Sequence, residues 1–400
     1  MPSVKAANPR QIFAPDQWRA LTSVSRWYGL ALIAHAWAVV ALVAGGTAWL
    51  WTADFTWSWL GALAVTPLAL ALLGGRQLGL AILMHEAAHG LTHPKRKTNN
   101  FAGDWLAGAA TGADLQSYRA YHLTHHRFTQ QPEDPDLPLS APFPVSPDSL
   151  KRKIIRDLTG QTFLKQRAAQ FGYALKGLRA LLSPFALSLS KGRTSLSKEK
   201  TVLRQAQHER NESGKPKRDT SAGTVFNRSE RTEAAKGDHA SSNGVSAPVT
   251  DDSGAIATAK STGRFLLVQL VLLAVAMLAL GPVTGGIAYA LWLVALATTF
   301  PLFLRIRNIA EHACTTTGSA DPFSHARTTY AGPLARATVA PYWVNYHAEH
   351  HLFMGVPCYN LEAAHRHLLS QGHGEKMTIA PGYMSVLRQV TGGVTTRAVV

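Results

Sequence analysis

Two long apolar blocks, at residues 27–84 and 264–304, constrain this chain more than any other feature. The first block opens with Trp27–Trp51, which carries no charged residue over 25 positions. A helix needs only about 20 apolar residues to cross a hydrocarbon core. Charged residues are concentrated outside these blocks. The near-zero mean hydropathy is therefore an average over apolar blocks and polar segments. The pattern excludes an ordinary soluble globular protein and predicts a membrane protein.

Each apolar block is long enough for two helices joined by a short turn. In the first block the arms are Trp27–Trp51 and Ser58–Met84. In the second block they are Phe265–Leu280 and Ile287–Leu304, with a turn at residues 281–286. We therefore predict an all-α polytopic membrane protein with four transmembrane helices in two hairpins.

The placement of Lys and Arg predicts how these helices are oriented, because positively charged flanks stay cytoplasmic. The turns at residues 52–57 and 281–286 contain neither residue. Basic residues precede the first span and follow the second and fourth, at Arg10, Arg19, Arg26, Lys95, Arg96, Lys97, Arg305 and Arg307. Both termini are therefore expected in the cytoplasm. Residues 1–17 lack the apolar segment of a cleaved signal peptide.

The net charge of +16 has two candidate explanations, a nucleic acid or a membrane surface. No basic stripe with interleaved aromatic residues accompanies it, so we expect no nucleic-acid partner. An anionic lipid surface explains the charge better. The two cysteines, Cys314 and Cys358, are too few for a disulfide framework or a cysteine-based zinc site.

The charge and apolar patterns divide the chain into three parts. Residues 1–182 hold the first hairpin and a cytoplasmic segment, in which residues 151–182 favour a helix along the membrane surface. Residues 183–263 are rich in Ser, Thr, Gly and Lys and cannot bury a core, so we predict a disordered polar insertion. Residues 264–400 hold the second hairpin and a second cytoplasmic segment.

Histidine is the residue that points to chemistry, because the 17 histidines include three tight clusters. The first is HEAAH, at His85 and His89. The other two share the pattern HxxHH, and they comprise His122, His125, His126, His347, His350 and His351. On a helix, positions i, i+3 and i+4 lie on one face, so each cluster directs its imidazoles toward one point. A chance HxxHH is expected only ~0.03 times in a chain of this composition.

Asn308 and His312 add a fourth element with helical spacing. An even number of spans places all four elements on one side, in a cytoplasmic histidine-rich helical cap. The candidate metal ligands are therefore His85, His89, His122, His125, His126, Asn308, His312, His347, His350 and His351. Zinc takes four ligands and leaves a surplus, whereas two five- or six-coordinate ions suit iron. An all-nitrogen ligand set also excludes the carboxylate-bridged di-iron sites of soluble bundles, whose signature is Glu plus Glu-x-x-His.

The three boxes HEAAH, HLTHH and HAEHH, separated by membrane hairpins, resemble the membrane fatty acid desaturase superfamily. Glu133–Asp136 after the second box and Asn345–His347 at the third are also similar, and the likeness covers residues 25–182 and 264–375. The insertion at 183–263 departs from the family pattern. The resemblance implies two iron ions, O2 as co-substrate, a lipid or fatty acyl substrate, and no catalytic residue beyond the metal ligands. It also implies an external electron donor such as a ferredoxin or cytochrome b5.

Metal-bound imidazoles need their second ring nitrogen held, so nearby carboxylates are candidate partners. These are Glu86, Glu311, Glu349, Asp104, Asp114, Asp134 and Asp136. Other histidines near the clusters break the spacing and are left out of the ligand set, namely His93, His325, His365 and His367. His35 lies inside a span and is expected to be a helix-contact residue. Aromatic residues near the boxes are expected mainly to pack or to anchor the interface, namely Trp105, Tyr118, Trp343 and Tyr346.

Three other functions are compatible with parts of the pattern. A di-iron hydroxylase or ketolase of a carotenoid, alkane or other hydrophobic molecule would use the same ligands. The HEAAH box also matches the HExxH motif of an intramembrane zinc protease. That class needs a third ligand, and no Asp occurs in residues 265–304. A metal transporter or receptor would need polar ligands within the spans, which are largely missing.

Overall fold

The computed structural model describes Val4, residues 7–182 and residues 252–392, and these are mostly helical. The helices of the first range are α1 Pro15–Leu21, α2 Tyr28–Thr52, α3 Ser58–His89, α4 Arg96–Phe101, α5 Ala109–Thr111, α6 Leu115–Phe128, α7 Leu137–Ser140, α8 Pro147–Leu158 and α9 Gln161–Leu182. A π-helical segment, Ala102–Gly108, joins α4 to α5. One 3-10 turn, Pro9–Gln11, precedes α1.

The second range contains seven α-helices and two short strands. The helices are α10 Asp252–Leu280, α11 Pro282–Ala297, α12 Thr299–His312, α13 Pro333–Ala337, α14 His347–Leu352, α15 Leu361–Ser370 and α16 Tyr383–Val390. The strands are β1 Arg327–Thr329 and β2 Thr378–Ala380. Single 3-10 turns lie at Pro341–Trp343, Cys358–Asn360 and His373–Lys376.

Four helices among the described residues are long and apolar enough to cross a membrane. They are Tyr28–Thr52, Ser58–His89, Ser253–Leu280 and Pro282–His312. Large apolar side chains on their outer faces are exposed, with Leu42 at 74%, Leu278 at 86% and Val283 at 70%. Such broad apolar exposure is costly in water and favourable in lipid. The prediction of four spanning helices is therefore confirmed.

Helix α3 is the central element, and it packs against α2, α6, α11 and α12. Glycine at two positions allows this close approach. A Cβ on Gly74 would lie 2.2 Å from Oγ1 of Thr299, and a Cβ on Gly75 would lie 2.1 Å from the carbonyl oxygen of Ala337. Small residues let helix backbones approach in this way inside membranes. The first of the three histidine boxes therefore lies at the end of a tightly held helix.

The fourth spanning helix is broken at Thr298, where φ is −122° and ψ is −74°. Pro301 explains the break, since proline has no N–H and its ring clashes with the carbonyl group four residues earlier, here that of Ala297. The helix resumes as α12 and continues to His312. Asn308 and His312 are therefore carried on a segment that is separate from α11.

Helix α10 begins at Asp252, so residues 252–263 are helical although the sequence analysis assigned them to the polar insertion. The difference has a packing reason. Gly177 of α9 lies so close to α10 that a Cβ would fall 1.9 Å from the carbonyl oxygen of Ala255. Gln170 Nε2 also donates to Oγ1 of Thr262 at 3.2 Å. The predicted disorder of residues 183–251 lies outside the described residues.

The carboxyl-terminal segment contains one element that the all-α prediction missed. Strands β1 and β2 pair in parallel, with Arg327 opposite Thr378 and Thr329 opposite Ala380. Thr328 also forms an antiparallel bridge to Tyr346, directly before the third histidine box. The small sheet thus joins the start of α14 to the end of the chain.

Candidate metal centre

Four helices carry the predicted histidines to one place. His85 and His89 lie in the last turns of α3, and the second box lies on α6. His312 ends α12, and the third box forms most of α14. On each helix the spacing of three or four residues puts the imidazoles on a common face. All nine predicted histidines converge, in two neighbouring clusters.

The first cluster contains five histidines, which are His85, His89, His122, His126 and His350. One ring nitrogen of each lies within 4.8 Å of the others. Nε2 of His122 lies 3.0 Å from Nε2 of His89 and 2.9 Å from Nε2 of His126. Nε2 of His126 lies 3.0 Å from Nε2 of His350. Four histidines from three helices therefore point Nε2 at one small volume.

The second cluster contains four histidines, which are His125, His312, His347 and His351. Nε2 of His347 lies 2.8 Å from Nε2 of His312 and 3.0 Å from Nε2 of His351. His125 and His351 are 3.3 Å apart at the same atoms. The HxxHH boxes therefore divide, because each contributes ligand atoms to both clusters.

The partners of the Nδ1 atoms determine what the second cluster can bind. Nδ1 of His125 donates to Oδ1 of Asp134 at 2.8 Å, and Nδ1 of His312 donates to the carbonyl oxygen of His325 at 3.0 Å. Since the protons are on Nδ1, both Nε2 atoms present lone pairs. Neutral imidazole has one N–H only.

The other two members of the second cluster have the same arrangement. Oγ1 of Thr129 donates to the carbonyl oxygen of His125, so it accepts from Nδ1 of His351 at 3.2 Å. Nδ1 of His347 lies 3.3 Å from a carboxylate oxygen of Glu311. Four lone pairs converging at about 3 Å repel one another unless a cation lies between them. The residues therefore fit a metal ion.

The first cluster fits a metal for a related reason. Both ring nitrogens of His85 are buried without a hydrogen-bond partner among the described residues, as are Nδ1 of His126 and Nδ1 of His350. A buried polar atom without a partner is costly. Coordination by Nε2 of His85 would remove part of this cost, because a metal ion accepts the lone pair that no donor reaches.

Burial keeps most of these imidazoles in the neutral form that binds metals. It lowers the pKa of His122, His126, His350 and His351 well below the usual value for histidine. His125 is the exception. Burial acts to lower its pKa, but the hydrogen bond to Asp134 and the nearby charges raise it overall. A carboxylate on Nδ1 makes the opposite nitrogen a stronger ligand.

Three of the seven candidate carboxylates contact cluster histidines directly. Asp134 contacts His125, Glu311 contacts His347, and Glu86 lies 3.6 Å from Nδ1 of His85. Asp136 is slightly more distant, at 3.7 Å from Nδ1 of His125. The remaining three, Asp104, Asp114 and Glu349, pair with residues outside the clusters.

Asp104 and Asp114 do not hold a histidine, although they lie near the second box in sequence. Both form ion pairs with Arg264 of α10. Asp114 also caps α6 by accepting from the backbone N of Ser117 at 2.8 Å, and Asp104 accepts from the backbone N of Leu115 at 3.2 Å. The two residues therefore fix the start of the box 2 helix and do not touch its imidazoles.

Glu349 likewise contacts no cluster histidine. It is fully buried, and it accepts a hydrogen bond from Nδ1 of His365 at 2.6 Å and another from Thr328. Tyr330 donates to the other nitrogen of His365 at 3.2 Å. This network connects α14 to β1 and α15, so it holds the third box in place. No spacing pattern in the sequence indicates the roles of His365, Thr328 or Thr129.

Asn308, the tenth predicted ligand, lies one turn before His312 and borders the same cavity as the clusters. Its Oδ1 accepts from Nη1 of Arg307 at 3.2 Å.

The four other excluded histidines have separate contacts. His35 contacts the hydroxyl of Tyr342 at 3.0 Å, and His367 contacts the carbonyl oxygen of Ile12 at 2.8 Å. His93 accepts from the backbone N of Lys95, and His325 contacts the carbonyl oxygen of Thr316.

A cavity that opens to solvent adjoins both clusters. Five cluster histidines border it, namely His85, His122, His125, His312 and His347. Its apolar wall includes Leu78 and Ile82 of α3 and Phe300 and Leu304 of the fourth spanning helix. Tyr118 also borders it and stacks on His122 at 5.1 Å between ring centroids. An apolar chain in this cavity would lie against the histidine clusters.

Comparison with known proteins identifies the family. The sequence profile described as fatty acid desaturase matches residues 57–194 and 250–381, which include every histidine of both clusters. A search among curated proteins finds no match to this chain. The profile covers most of the sequence, and the histidines it includes form two clusters whose ring nitrogens lie within 4.8 Å of one another. The chain therefore belongs to the fatty acid desaturase family.

Proposed function

We propose that this protein is a di-iron oxidoreductase that uses O2 to desaturate a fatty acyl chain in the membrane. Family membership implies an oxidoreductase, and the four apolar helices make it an integral membrane protein. The observation that carries the finer assignment is the pair of all-histidine clusters beside an apolar cavity. Zinc takes four ligands, whereas the first cluster offers five nitrogens and the second offers four with Asn308 as a further proposed ligand, so both sites suit iron better.

The first cluster would hold one iron ion and the second cluster the other, with Asn308 as an additional ligand of the second. When bound, the two ions supply the reductive activation of O2 and the removal of hydrogen from an unactivated C–H bond. The protein contributes the ligands and the carboxylates that orient them, Asp134 and Glu311. The apolar wall excludes water and holds one methylene pair beside the clusters.

The reaction balances with four electrons. Desaturation removes two hydrogen atoms from neighbouring carbons, and the substrate loses two electrons. Two further electrons and two protons complete the reduction of O2 to two water molecules. These electrons must be delivered from outside, and we propose an acidic carrier such as a ferredoxin or cytochrome b5. Exposed Lys95, Arg96 and Lys97 follow the end of α3 and would attract such a carrier.

A hydroxylase or ketolase acting on a carotenoid, alkane or other hydrophobic molecule remains the second candidate, because the same ligands and cavity serve both reactions. The zinc protease reading has less support. A zinc protease needs one coordination position of its metal ion open to water. Here His85 and His89 have three further histidines as neighbours, which would occupy that position.

We also propose the orientation that the basic flanks predict, with both termini and the histidine-rich segments in the cytoplasm. Reporter fusions test it. A fluorescent protein fused after residue 400 should fold and fluoresce, and alkaline phosphatase inserted in the turn at residues 53–57 should be active outside the cytoplasm. The reverse pattern would contradict the proposed orientation.

Lipid profiling by mass spectrometry tests the activity. Cells expressing the full chain should accumulate an acyl species two mass units lighter than its saturated parent. Cells expressing His125→Ala should not, whereas those expressing His373→Ala should match the wild type, since His373 belongs to neither cluster. A gain of one oxygen atom would favour the hydroxylase. Purified wild-type protein with one zinc and no iron would rule out both.

A further inference from the structure

Arg167, on α9, borders the same cavity as the histidine clusters but has no carboxylate partner among the described residues. Other arginines near the cavity are paired. Arg307 contacts Glu311, and Arg305 contacts Asp157 at 2.5 Å. An unpaired charge that is largely withdrawn from water is unfavourable, and proteins retain such groups mainly at functional sites.

The hydrogen bonds of Arg167 leave much of its guanidinium unused. Nη1 donates to Oε1 of Gln170 at 2.5 Å, and Nη2 donates to the carbonyl oxygen of Thr111 at 2.8 Å. Nε is buried and has no partner among the described residues. A guanidinium has five N–H donors, so three are without a partner in this part of the chain. The group therefore retains capacity for an anionic acceptor.

The surroundings of Arg167 hold the cation without neutralising it. Its guanidinium carbon lies 5.2 Å from the ring centre of Phe163 and 4.8 Å from that of Phe265, so two aromatic faces flank it. A Cβ on Gly112 would lie 2.2 Å from Nη1, so glycine leaves the space that the guanidinium occupies. Burial lowers the pKa of Arg167 to about 10, which keeps it charged at neutral pH.

One cavity is therefore bordered by a cationic group, an apolar wall and members of both histidine clusters. Gly112, beside Arg167, is separated from His122 mainly by the first two turns of α6, and seven residues of helix span about 10 Å. On α3, Leu78 and His85 are also seven residues apart and both border the cavity. A separation of about 10 Å corresponds to several methylene groups of an extended chain. This combination of surfaces matches a molecule with an anionic head and an alkyl chain.

We propose that Arg167 binds the anionic head group of the substrate and thereby sets which methylene groups of its chain lie beside the histidine clusters. The proposal rests on the proposed function for the identity of the reacting chain. The head group would be a carboxylate or a phosphate ester, since both offer oxygens for the unused N–H donors. A neutral head group would leave the buried charge unpaired.

The test is binding to the purified full chain in detergent, with no turnover required. Radiolabelled hexadecanoate is bound, and then displaced by unlabelled hexadecanoate, hexadecyl phosphate or hexadecan-1-ol. At least one of the anionic competitors should displace the label at about tenfold lower concentration than the alcohol. The better anion identifies the head group as a carboxylate or a phosphate ester. Equal displacement by the alcohol would overturn the proposal without use of any variant.

Variants locate the effect. Arg167→Gln should reduce hexadecanoate affinity about tenfold and leave the affinity for hexadecan-1-ol unchanged, whereas Arg167→Lys should keep most of the preference. Arg179→Gln, an exposed arginine on the same helix, is the matched control. If Arg167→Gln and Arg167→Lys both bind hexadecanoate like the wild type, the assignment is wrong. Iron content is measured on the same samples. A protein that holds iron but shows no role for Arg167 contradicts only this inference, whereas a protein without iron contradicts the di-iron proposal.

Discussion

The carboxylate of Asp134 lies 2.8 Å from Nδ1 of His125, and both side chains are buried. The carboxylate is itself fixed, because it also accepts from the backbone N of Gln130 and of Asp136, each at 2.8 Å. The His125 ring is therefore held with its Nε2 toward the second cluster. One side chain outside the cluster thus determines both the orientation and the proton position of a ligand.

Asp134→Asn should weaken iron binding without removing any ligand. The amide is neutral and a poorer acceptor, so His125 becomes less basic and less firmly oriented. We expect a loss of about 10- to 100-fold in metal affinity. Iron retained per chain during titration with a chelator measures it. Asp148→Asn, at an exposed position in α8, is the control, and equal retention by both variants would show that Asp134 has no such role.

His125→Ala and His350→Ala remove one ligand from each cluster. Each variant should lose at least the ion of its own cluster and all turnover, because the reaction is proposed to need both ions. Metal analysis of the purified proteins checks this, with about two irons per chain expected for the wild type and one or none for each variant. His373→Ala should keep the full iron content. Full iron and turnover in the two cluster variants would refute the ligand assignment.

Gly75→Val should destabilise the packing around α3. The added side chain would collide with the backbone carbonyl of Ala337, which cannot move independently of its helix. Overpacking of this kind costs about 1–3 kcal/mol. A lower melting temperature in detergent is the expected result. Gly61→Ala, on the same helix with nothing within 4 Å of its Cβ position, should melt like the wild type or slightly higher.

Arg264→Gln should weaken the contact between α10 and the start of α6. The substitution removes ion pairs to Asp104 and Asp114, which cap the box 2 helix. These groups are partly exposed, so we expect a loss of about 1 kcal/mol in stability. Thermal unfolding followed by circular dichroism measures it. Exposed Lys165→Gln should change nothing, and an unchanged transition for Arg264→Gln would show that the pairs contribute little.

Deleting residues 190–248 should leave iron content and lipid products unchanged. The deletion stops before α10, whose first turns pack against α9 at Ala255 and Gly177. The ten remaining residues between the two helices, 183–189 and 249–251, are enough for a connection between neighbouring helix ends. Extending the deletion through residue 263 should lower both, because it removes packed helix. Equal loss in the two deletions would assign a structural role to the insertion.

The spanning helices and the histidine boxes were predictable because each produces a strong local pattern. Long uncharged apolar runs and the HxxHH spacing are visible without knowledge of distant contacts. The break at Thr298 was also encoded locally, by Pro301, but its effect on His312 depends on how α12 packs. Local patterns therefore located the candidate metal ligands but not the residues that hold these ligands in place.

What the sequence could not reveal depends on partners far apart in the chain. Asp104 and Asp114 lie close to the second box in sequence, yet their charges are paired with Arg264 on α10. Strands of three residues are too short for an alternating pattern, so β1 and β2 gave no signal. The unpaired state of Arg167 likewise becomes visible only when the neighbouring helices are in place.

The unequal origin of the two clusters has a consequence for biogenesis. Four of the five histidines in the first cluster precede residue 130, so that site is nearly complete when the first half of the chain has been synthesised. The second cluster has only His125 from that half and awaits His312, His347 and His351. A nascent or truncated chain without the last box therefore has the ligands for at most one of the two proposed ions, and the second cluster is complete only after the ribosome has passed that box.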